Sequence, residues 1–458
     1  MRRYIIFASA GLSLLMWSID SEVVAVAFPH LIRDLHTNVL WAAWTISIYL
    51  IALTSSMPLM GKLSDTFGRK RVFLISLVLF TVSSLACGIA PNIYSLVAFR
   101  FLQGVGGASF LPTASGIVSD LFPEHRQRAI GLFTSIFPIG GILGPNLGGW
   151  IVSQYSWRYI FYINLPIGAG LIVLITILLE KSQVLSHPRI DFKGASLFFG
   201  TIISLMLSLS IIAENFSVFL LLFTVILLFL SFLFIYLFFE QEKKELHPIL
   251  DLTLLRSKPF MAANLYNMMG GTAFLGVFAF IPLYATSVHK LSTLLSGMIL
   301  TPRSLAVIPA SAITSFSLER WGYRRPMILG MGIMAFAFIL LGGPGFWLFR
   351  VAGTHWGATE VLAILVMIAG IGMGISLPAS NNACIELMPD RVATITGLRG
   401  MFRSVGGAFG ISLTTIILHL SSAPARGFRI TFPSCALLLL CTIPLVFLMP
   451  SGREKAYS

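Results

Sequence analysis

Charge is what this chain has least of. Only 11% of its 458 residues are Asp, Glu, Lys or Arg, whereas 56% are hydrophobic and the mean hydropathy is +0.88. About a quarter of the residues are charged in an ordinary soluble domain, so the composition excludes that class and indicates a polytopic membrane protein. Cysteine is scarce too: Cys87, Cys384, Cys435 and Cys441 all lie within apolar runs and lack ligand spacing. That excludes a disulfide framework and a cysteine-based metal site. There is no G-x-x-x-x-G-K-[ST] run, so ATP is not the expected energy source, and no H-E-x-x-H, C-x-x-C or G-x-S-x-G constellation to suggest an enzyme. No segment between the apolar runs is long enough to fold alone.

Acidic residues are outnumbered, 18 against 31 Lys and Arg, giving a net charge of +13. Nucleic-acid binding would collect that charge on one face or tail, whereas here the basic residues form short clusters between apolar runs. Those runs, of roughly 20 residues each, fall at 4–28, 40–60, 72–90, 93–119, 130–153 and 159–179, then at 194–213 and 218–239, then at 260–285, 294–317, 326–348, 358–384, 394–418 and 430–448. The reading is six spans, an inserted pair, and six more. Met1-Arg2-Arg3 before the first run resembles a signal peptide, but the run is long and carries Asp20 and Glu22, so an uncleaved first span is expected.

Loop charge tests this count. With both termini cytoplasmic, six of the 31 basic residues fall outside (Arg33, Arg158, Lys290, Arg350, Arg426 and Arg429) and four within spans (Arg100, Arg303, Arg399 and Arg403); the other 21 lie inside. This positive-inside asymmetry supports fourteen spans and accounts for much of the basic charge.

The two sets of six look duplicated. Asp65-x-x-Gly68-Arg69-Lys70-Arg71 is echoed by Glu319-x-x-Gly322-Tyr323-Arg324-Arg325, and Gly140-Gly141-x-x-Gly144 by Gly406-Gly407-x-x-Gly410, each at an equivalent place in its set. Paired repeats are a transporter architecture with a substrate site between the halves. The expected organisation is a six-helix bundle over 1–186, an inserted two-helix pair and linker over 187–245, and a second six-helix bundle over 246–458. The inserted pair is expected to be lipid-facing filler.

Residues 61–71, Gly-Lys-Leu-Ser-Asp-Thr-Phe-Gly-Arg-Lys-Arg, resemble the signature loop between spans two and three of the major facilitator superfamily. Gly140-x-x-x-Gly144-Pro145-x-x-Gly148-Gly149 resembles its antiporter motif, and Arg100-Phe-Leu-Gln-Gly-Val-Gly-Gly107 its proton-linked span-four pattern. The resemblance covers nearly the whole chain and extends to the fourteen-span drug:proton antiporter branch through Asp20, Ala27, Phe28 and Pro29, with Glu22 and Ala25 as departures. It implies an all-helical fold of two six-helix bundles plus two central helices. It also implies a latch of Gly61, Asp65, Gly68, Arg69 and Asp120 that holds the halves together on the cytoplasmic side. In physical terms, Asp65 suits a helix N-terminus and Arg69 a carboxylate such as Asp120. The small residues of the antiporter motif suit close packing against the other half.

Carboxylates within spans are expensive and mark function. At 1.5 Å per residue, Arg100 and Asp20 each lie roughly 11 to 12 Å below the outer ends of their helices, so they can meet. Separating them would change the proton affinity of Asp20, which supplies a coupling step. Residues two apart on a helix are about 200° apart, so Glu22 cannot share the same cavity; it is the second acceptor or a substrate contact. A fixed Asp20–Arg100 bridge is the structural alternative. Candidate cavity residues are Tyr49, Phe137, Asn264, Tyr266, Asn267, Asn381 and Asn382, with Arg303 and Arg403 placed near the middle of their spans. These two arginines favour an anionic substrate over a lipophilic cation, unless they only bond helix carbonyls.

The expected function is proton-coupled efflux of small amphipathic compounds by alternating access in the inner, cytoplasmic membrane. The proton gradient is the energy source, with no metal or other cofactor. Export of an endogenous anionic metabolite is the alternative. A non-transporting sensor or intramembrane enzyme is the remote one. A periplasmic adaptor is compatible with this branch but leaves no signature in the sequence.

Overall fold

A computed structural model of the chain describes residues 2–37, 39–180, 191–214, 218–245, 256–291, 295, 298–343 and 357–451. These residues form helices and no strand. The expected boundaries after residues 186 and 245 fall at segments 181–190 and 246–255, outside the described residues.

The described chain divides into two compact units. The first holds residues 1–205, 228–251 and 388–401; the second holds 206–227, 252–387 and 402–458. In the first lie α1 (Arg2–Val26), α2 (Phe28–Asp34), α3 (Val39–Phe67), α4 (Arg69–Gly88), α5 (Ile93–Gly107) and α6 (Pro112–Leu121). They are followed by α7 (Arg126–Thr134), α8 (Phe137–Gln154), α9 (Tyr159–Tyr162) and α10 (Asn164–Leu178). The inserted pair is α11 (Phe192–Glu214) and α12 (Val218–Glu242), and α12 leaves Leu222, Phe229 and Phe232 exposed. The second unit holds α13 (Lys258–Phe278), α14 (Ile281–Ser287), α15 (Thr301–Trp321), α16 (Arg324–Leu341), α17 (Ala358–Glu386), α19 (Pro424–Cys441) and α20 (Ile443–Val446). Between α17 and α19 comes α18 (Val392–Leu420), whose first ten residues count with the first unit.

Among the described residues twelve helical stretches are long and apolar enough to cross a membrane, which makes this a multi-pass membrane protein. Two of the fourteen expected runs are missing from that set, for visible reasons. Run 93–119 is broken into α5 and α6, because Pro112 lacks an N–H and starts a new helix after the turn at Ala108–Leu111. Run 294–317 appears as α15, whose 21 residues include Arg303, Glu319, Arg320 and several Ser and Thr.

The repeat seen in the sequence is present as a set of backbone devices. Gly68 and Gly322 both take positive φ, +92° and +68°, which a side chain would resist. Two residues later, Lys70 donates to the Thr176 carbonyl at 2.7 Å and to that of Leu179, capping α10. Arg324, at the equivalent place, donates to the carbonyls of Phe447 (3.1 Å) and Met449 (3.0 Å) after α20. In each unit a basic side chain thus satisfies the orphan carbonyls of the last span and meets the negative end of its dipole.

The glycine stripes repeat as well. A Cβ at Gly144 would fall 2.8 Å from the Glu22 Cβ, and one at Gly148 would strike Val23, so α8 lies directly on α1. Gly406 and Gly410 touch the Met268 and Thr272 carbonyls of α13 in the same way. The antiporter-motif glycines Gly140, Gly144 and Gly148 therefore face a helix of their own unit, where the sequence expectation had them against the other half. The nearest close-packed neighbour is the first span. Pro145 and Gly149 belong to the same α8 backbone.

Candidate functional site: a buried ion pair and a cationic cleft

The core of the first unit is polar at one point. Arg100 and Asp20 are both fully buried, and Arg100 Nη1 donates to Asp20 Oδ2 at 2.7 Å. Helices α1, α3, α5 and α10 all contribute to this pair. Asn92 caps α5 through a reciprocal capping box with Ser95, which sets the start of the helix that carries Arg100. Arg158 donates to the Gly88 and Ala90 carbonyls at 2.9 and 2.8 Å and so closes the end of α4. A cluster that includes Val24, Ile93, Trp157 and Phe161 seals that end with apolar side chains.

A buried ion pair needs further hydrogen bonds to offset its desolvation, and among the described residues every polar side-chain atom of this pair except Arg100 Nη2 finds one. Here Gln103 Nε2 and Asn164 Nδ2 donate to Asp20 Oδ1 at 3.0 and 2.9 Å, and both also reach Ser84 Oγ, at 3.2 and 3.0 Å. Arg100 gives Nη1 to Gln103 Oε1 at 2.7 Å and Nε to the Thr45 carbonyl at 3.1 Å. Its guanidinium carbon stands 3.9 Å from the Tyr49 ring centroid, a cation–π stack in a desolvated place. Cys87 lies 3.6 Å from Gln103 Oε1. Each of these contacts to the Asp20 carboxylate is a donor, so both of its oxygens act as acceptors.

Glu22 is exposed, on a different side of α1 from Asp20. The geometry separates the two carboxylates as the helical angle requires. Tyr49 stacks under Arg100, and Phe137 packs on Trp17 with ring centroids 4.8 Å apart while its carbonyl accepts from Ser18 at 2.6 Å. Gln103, Asn164 and Ser84 were missed by sequence reasoning. The only signal was that Gln103 lies one turn after Arg100 and that Asn164 opens a helix otherwise free of strongly polar groups.

The latch residues also meet within the first unit. Asp65 Oδ2 accepts from the Thr394 backbone N–H and hydroxyl, both at 2.8 Å, so the carboxylate caps the third residue of α18. Gly61 permits this approach, since a Cβ there would lie 2.9 Å from the Thr394 Cα. Arg69 lies 3.6 Å from Asp65, pairs with Asp120 and donates to the Gly116 carbonyl at 2.6 Å.

In the second unit, Asn264 and Asn382 bond back to carbonyls of their own helices, Phe260 at 3.0 Å and Pro378 at 2.9 Å. Asn381 is buried with no hydrogen-bond partner for its amide among the described residues. Tyr266, Asn267 and Arg403, by contrast, line a narrow cleft among α13, α16, α17 and α18. Phe274, Met334 and Met373 make its apolar wall and Ser376 adds a hydroxyl. Arg303 is in the first turn of its own helix, where the sequence had it mid-span, because α15 starts only at Thr301 with Pro302 at its entry. Its carbonyl nevertheless abuts Gly370, near the middle of α17. The guanidinium carbons of Arg303 and Arg403 lie 5.5 and 5.7 Å from the Phe274 ring centroid.

Comparisons with known proteins place this architecture. The family model described as Major Facilitator Superfamily matches residues 6–194, 192–411 and 304–456. The chain is 32% identical over 410 residues to multidrug resistance protein 3 of Bacillus subtilis, spanning 88% of this chain and 77% of that protein. It is 29% identical over 428 residues to the multidrug transporter protein MdtP of the same species, spanning 92% and 76%. Among solved structures, the human organic anion transporter MFSD10 superposes with a TM-score of 0.70 at 15% identity, covering 97% of this chain and 99% of that one. The xylose symporter XylE superposes with 0.67 at 14% identity, covering 100% and 99%. These structures share the fold, and the family match spans nearly the whole chain: the protein belongs to the major facilitator superfamily, whose members are membrane transporters and not enzymes.

Proposed function

We propose that this protein is a proton-coupled efflux transporter of the fourteen-span drug:proton antiporter branch, which exports small amphipathic compounds from the cytoplasm by alternating access. The single observation that carries the proton coupling is the buried Asp20–Arg100 pair. A carboxylate with three donors and no water-facing atom has no structural need to be ionisable; hydrophobic residues of similar volume would cost less. Its retention is accounted for if the pair opens during the cycle. In the closed arrangement Asp20 is paired with Arg100. When Arg100, Gln103 and Asn164 withdraw, the desolvated carboxylate takes a proton, and substrate binding offsets the cost of the parted charges.

Export of drug-like molecules is supported by the likeness to bacterial relatives named as a multidrug resistance protein and a multidrug transporter protein. The fourteen-span reading is supported by α15 and the α5–α6 pair, which would add two crossings to the twelve apolar stretches. The loop-charge asymmetry supports a cytoplasmic-membrane orientation with both termini inside. The alternative, export of an anionic metabolite, draws on Arg403 in the cleft. Glu22 serves as a second proton acceptor or as a substrate contact.

The test is flux in proteoliposomes under an imposed pH gradient, comparing the intact protein with Asp20→Asn and Glu22→Gln. Gradient-driven flux is expected to vanish in the first and to weaken in the second. Flux that ignores the gradient, or full coupling in Asp20→Asn, would refute the mechanism.

A further inference from the structure

The end of the first unit at which α1 and α4 begin and α10 finishes carries charge that the buried pair does not use. Arg2 donates through Nε and Nη2 to the Leu178 carbonyl at 2.8 and 2.6 Å, and through Nη1 to Glu180 Oε1 at 2.5 Å. Lys70 donates to the next carbonyl along, that of Leu179, as well as to that of Thr176. Two cations are thus held on consecutive carbonyls of one helix terminus. Among the described residues Glu180 is the one carboxylate bonded to either. Arg71, the next residue on α4, is exposed and has no hydrogen-bond or ionic partner among the described residues.

These bonds leave capacity for more. An ammonium has three N–H donors and a guanidinium five, so Lys70 keeps one and Arg2 keeps two beyond the contacts above. Both head groups are already fixed, so an acceptor that arrives there orders little that was mobile. Arg2, Lys70 and Arg71 outweigh Glu180, and such a corner attracts an anion with several acceptor oxygens. The neighbouring surface selects which anion. Ile75, Val78 and Val82 on α4 and Val173 and Ile177 on α10 are exposed. The two helices touch closely, since a Cβ at Gly168 would lie 3.1 Å from the Thr81 Cβ, while one at Gly170 would meet nothing within 4 Å and so marks a gap on α10. An apolar strip therefore runs away from the charged corner, in a protein that spans a membrane. Soluble phosphate would use the charge and ignore the strip, whereas an anionic phospholipid uses both. From this juxtaposition we infer that the corner holds an anionic phospholipid, with its phosphate on Lys70 and Arg2, Arg71 beside it, and its acyl chains along α4 and α10. The inference rests on the membrane-spanning fold and is independent of substrate and proton coupling.

The test titrates the purified full chain in detergent with phosphatidylglycerol, or with phosphatidylcholine of the same acyl chains, and counts bound lipid by native mass spectrometry. Phosphatidylglycerol should be retained in preference, and inorganic phosphate at the same concentration should not displace it. Arg2→Gln with Lys70→Gln keeps amide donors for the carbonyls and removes both charges. At about fivefold in affinity per basic residue near an anionic surface, this double variant should bind phosphatidylglycerol roughly 25-fold more weakly. Lys243→Gln with Lys244→Gln removes the same charge just past α12 and should leave binding unchanged. Equal weakening in the two double variants would reduce the effect to diffuse attraction and overturn the site. Equal retention of the two lipids by the intact protein, or displacement by inorganic phosphate, would overturn it as well. If Arg2→Gln with Lys70→Gln does not fold, phosphatidylglycerol with a photoactivatable head group decides on the unaltered chain. Its adducts should map to residues 2–4, 70–75 and 174–180, and adducts confined elsewhere refute the assignment.

Discussion

Asn164 and Asp20, 144 residues apart in the chain, meet at 2.9 Å, and the asparagine occupies the carboxylate oxygen that Arg100 leaves free. α10 is thereby tied to α1 and α5 through one carboxylate. Parting Asp20 from Arg100 therefore disturbs α10 as well as α1 and α5.

Removing one partner of the pair should be worse than removing both. Asp20→Asn or Arg100→Gln leaves an uncompensated buried group, at a cost of about 3 to 5 kcal/mol. The double variant should recover much of the thermal stability in detergent while remaining uncoupled in proteoliposomes. A double variant no more stable than either single one would count against the pair as a closed unit.

Asn164→Leu and Gln103→Leu should each lower stability by about 1 to 3 kcal/mol, since each removes a donor from a buried carboxylate. Their effects should not add, because both contact Asp20 Oδ1 and Ser84 Oγ. Thermal melts of the two single variants and the double variant measure this coupling directly.

Gly144→Ala should destabilise the protein by about 1 to 3 kcal/mol through overpacking against the Glu22 Cβ, 2.8 Å from the added atom. Glu22→Gly in the same background removes that atom and should restore part of the loss. Absence of any rescue would show that the α1–α8 contact is looser than described.

Asp65→Ala removes the cap on α18 and should cost about 0.5 to 2 kcal/mol. Asp65→Asn keeps an oxygen for Thr394 and should stay close to the parent in stability. Equal losses in both would mean that the ion pair with Arg69, and not the cap, sets the energy at this position.

Much of this was legible in the sequence where the signal was charge in an apolar setting. Asp20 and Arg100 could be matched by depth because each is one of very few ionisable groups within a span, and Asp65 could be placed at a helix N-terminus because a carboxylate there has a physical partner. Gln103, Asn164 and Ser84 were not legible. A neutral polar side chain in a span reads the same whether it holds a carboxylate or merely joins two helices, and only tertiary placement separates the cases. Asn264 and Asn382 show the other outcome, since they bond to their own helices. Arg303 stands in the first turn of α15 although it lies near the middle of the apolar run 294–317, because residue counting ignores where a proline lets a helix begin.

Cys87 gives the buried network a native reporter. Its thiol is fully enclosed and within 3.6 Å of Gln103, so a water-borne alkylating reagent can reach it only while the surroundings of Asp20 are open. Cys384 and Cys435 are also buried and Cys441 is exposed, so a Cys441→Ser background leaves Cys87 as the accessible-on-opening thiol of the first unit. The rate of its modification, followed with and without a pH gradient, becomes a clock for how often the protein unlocks.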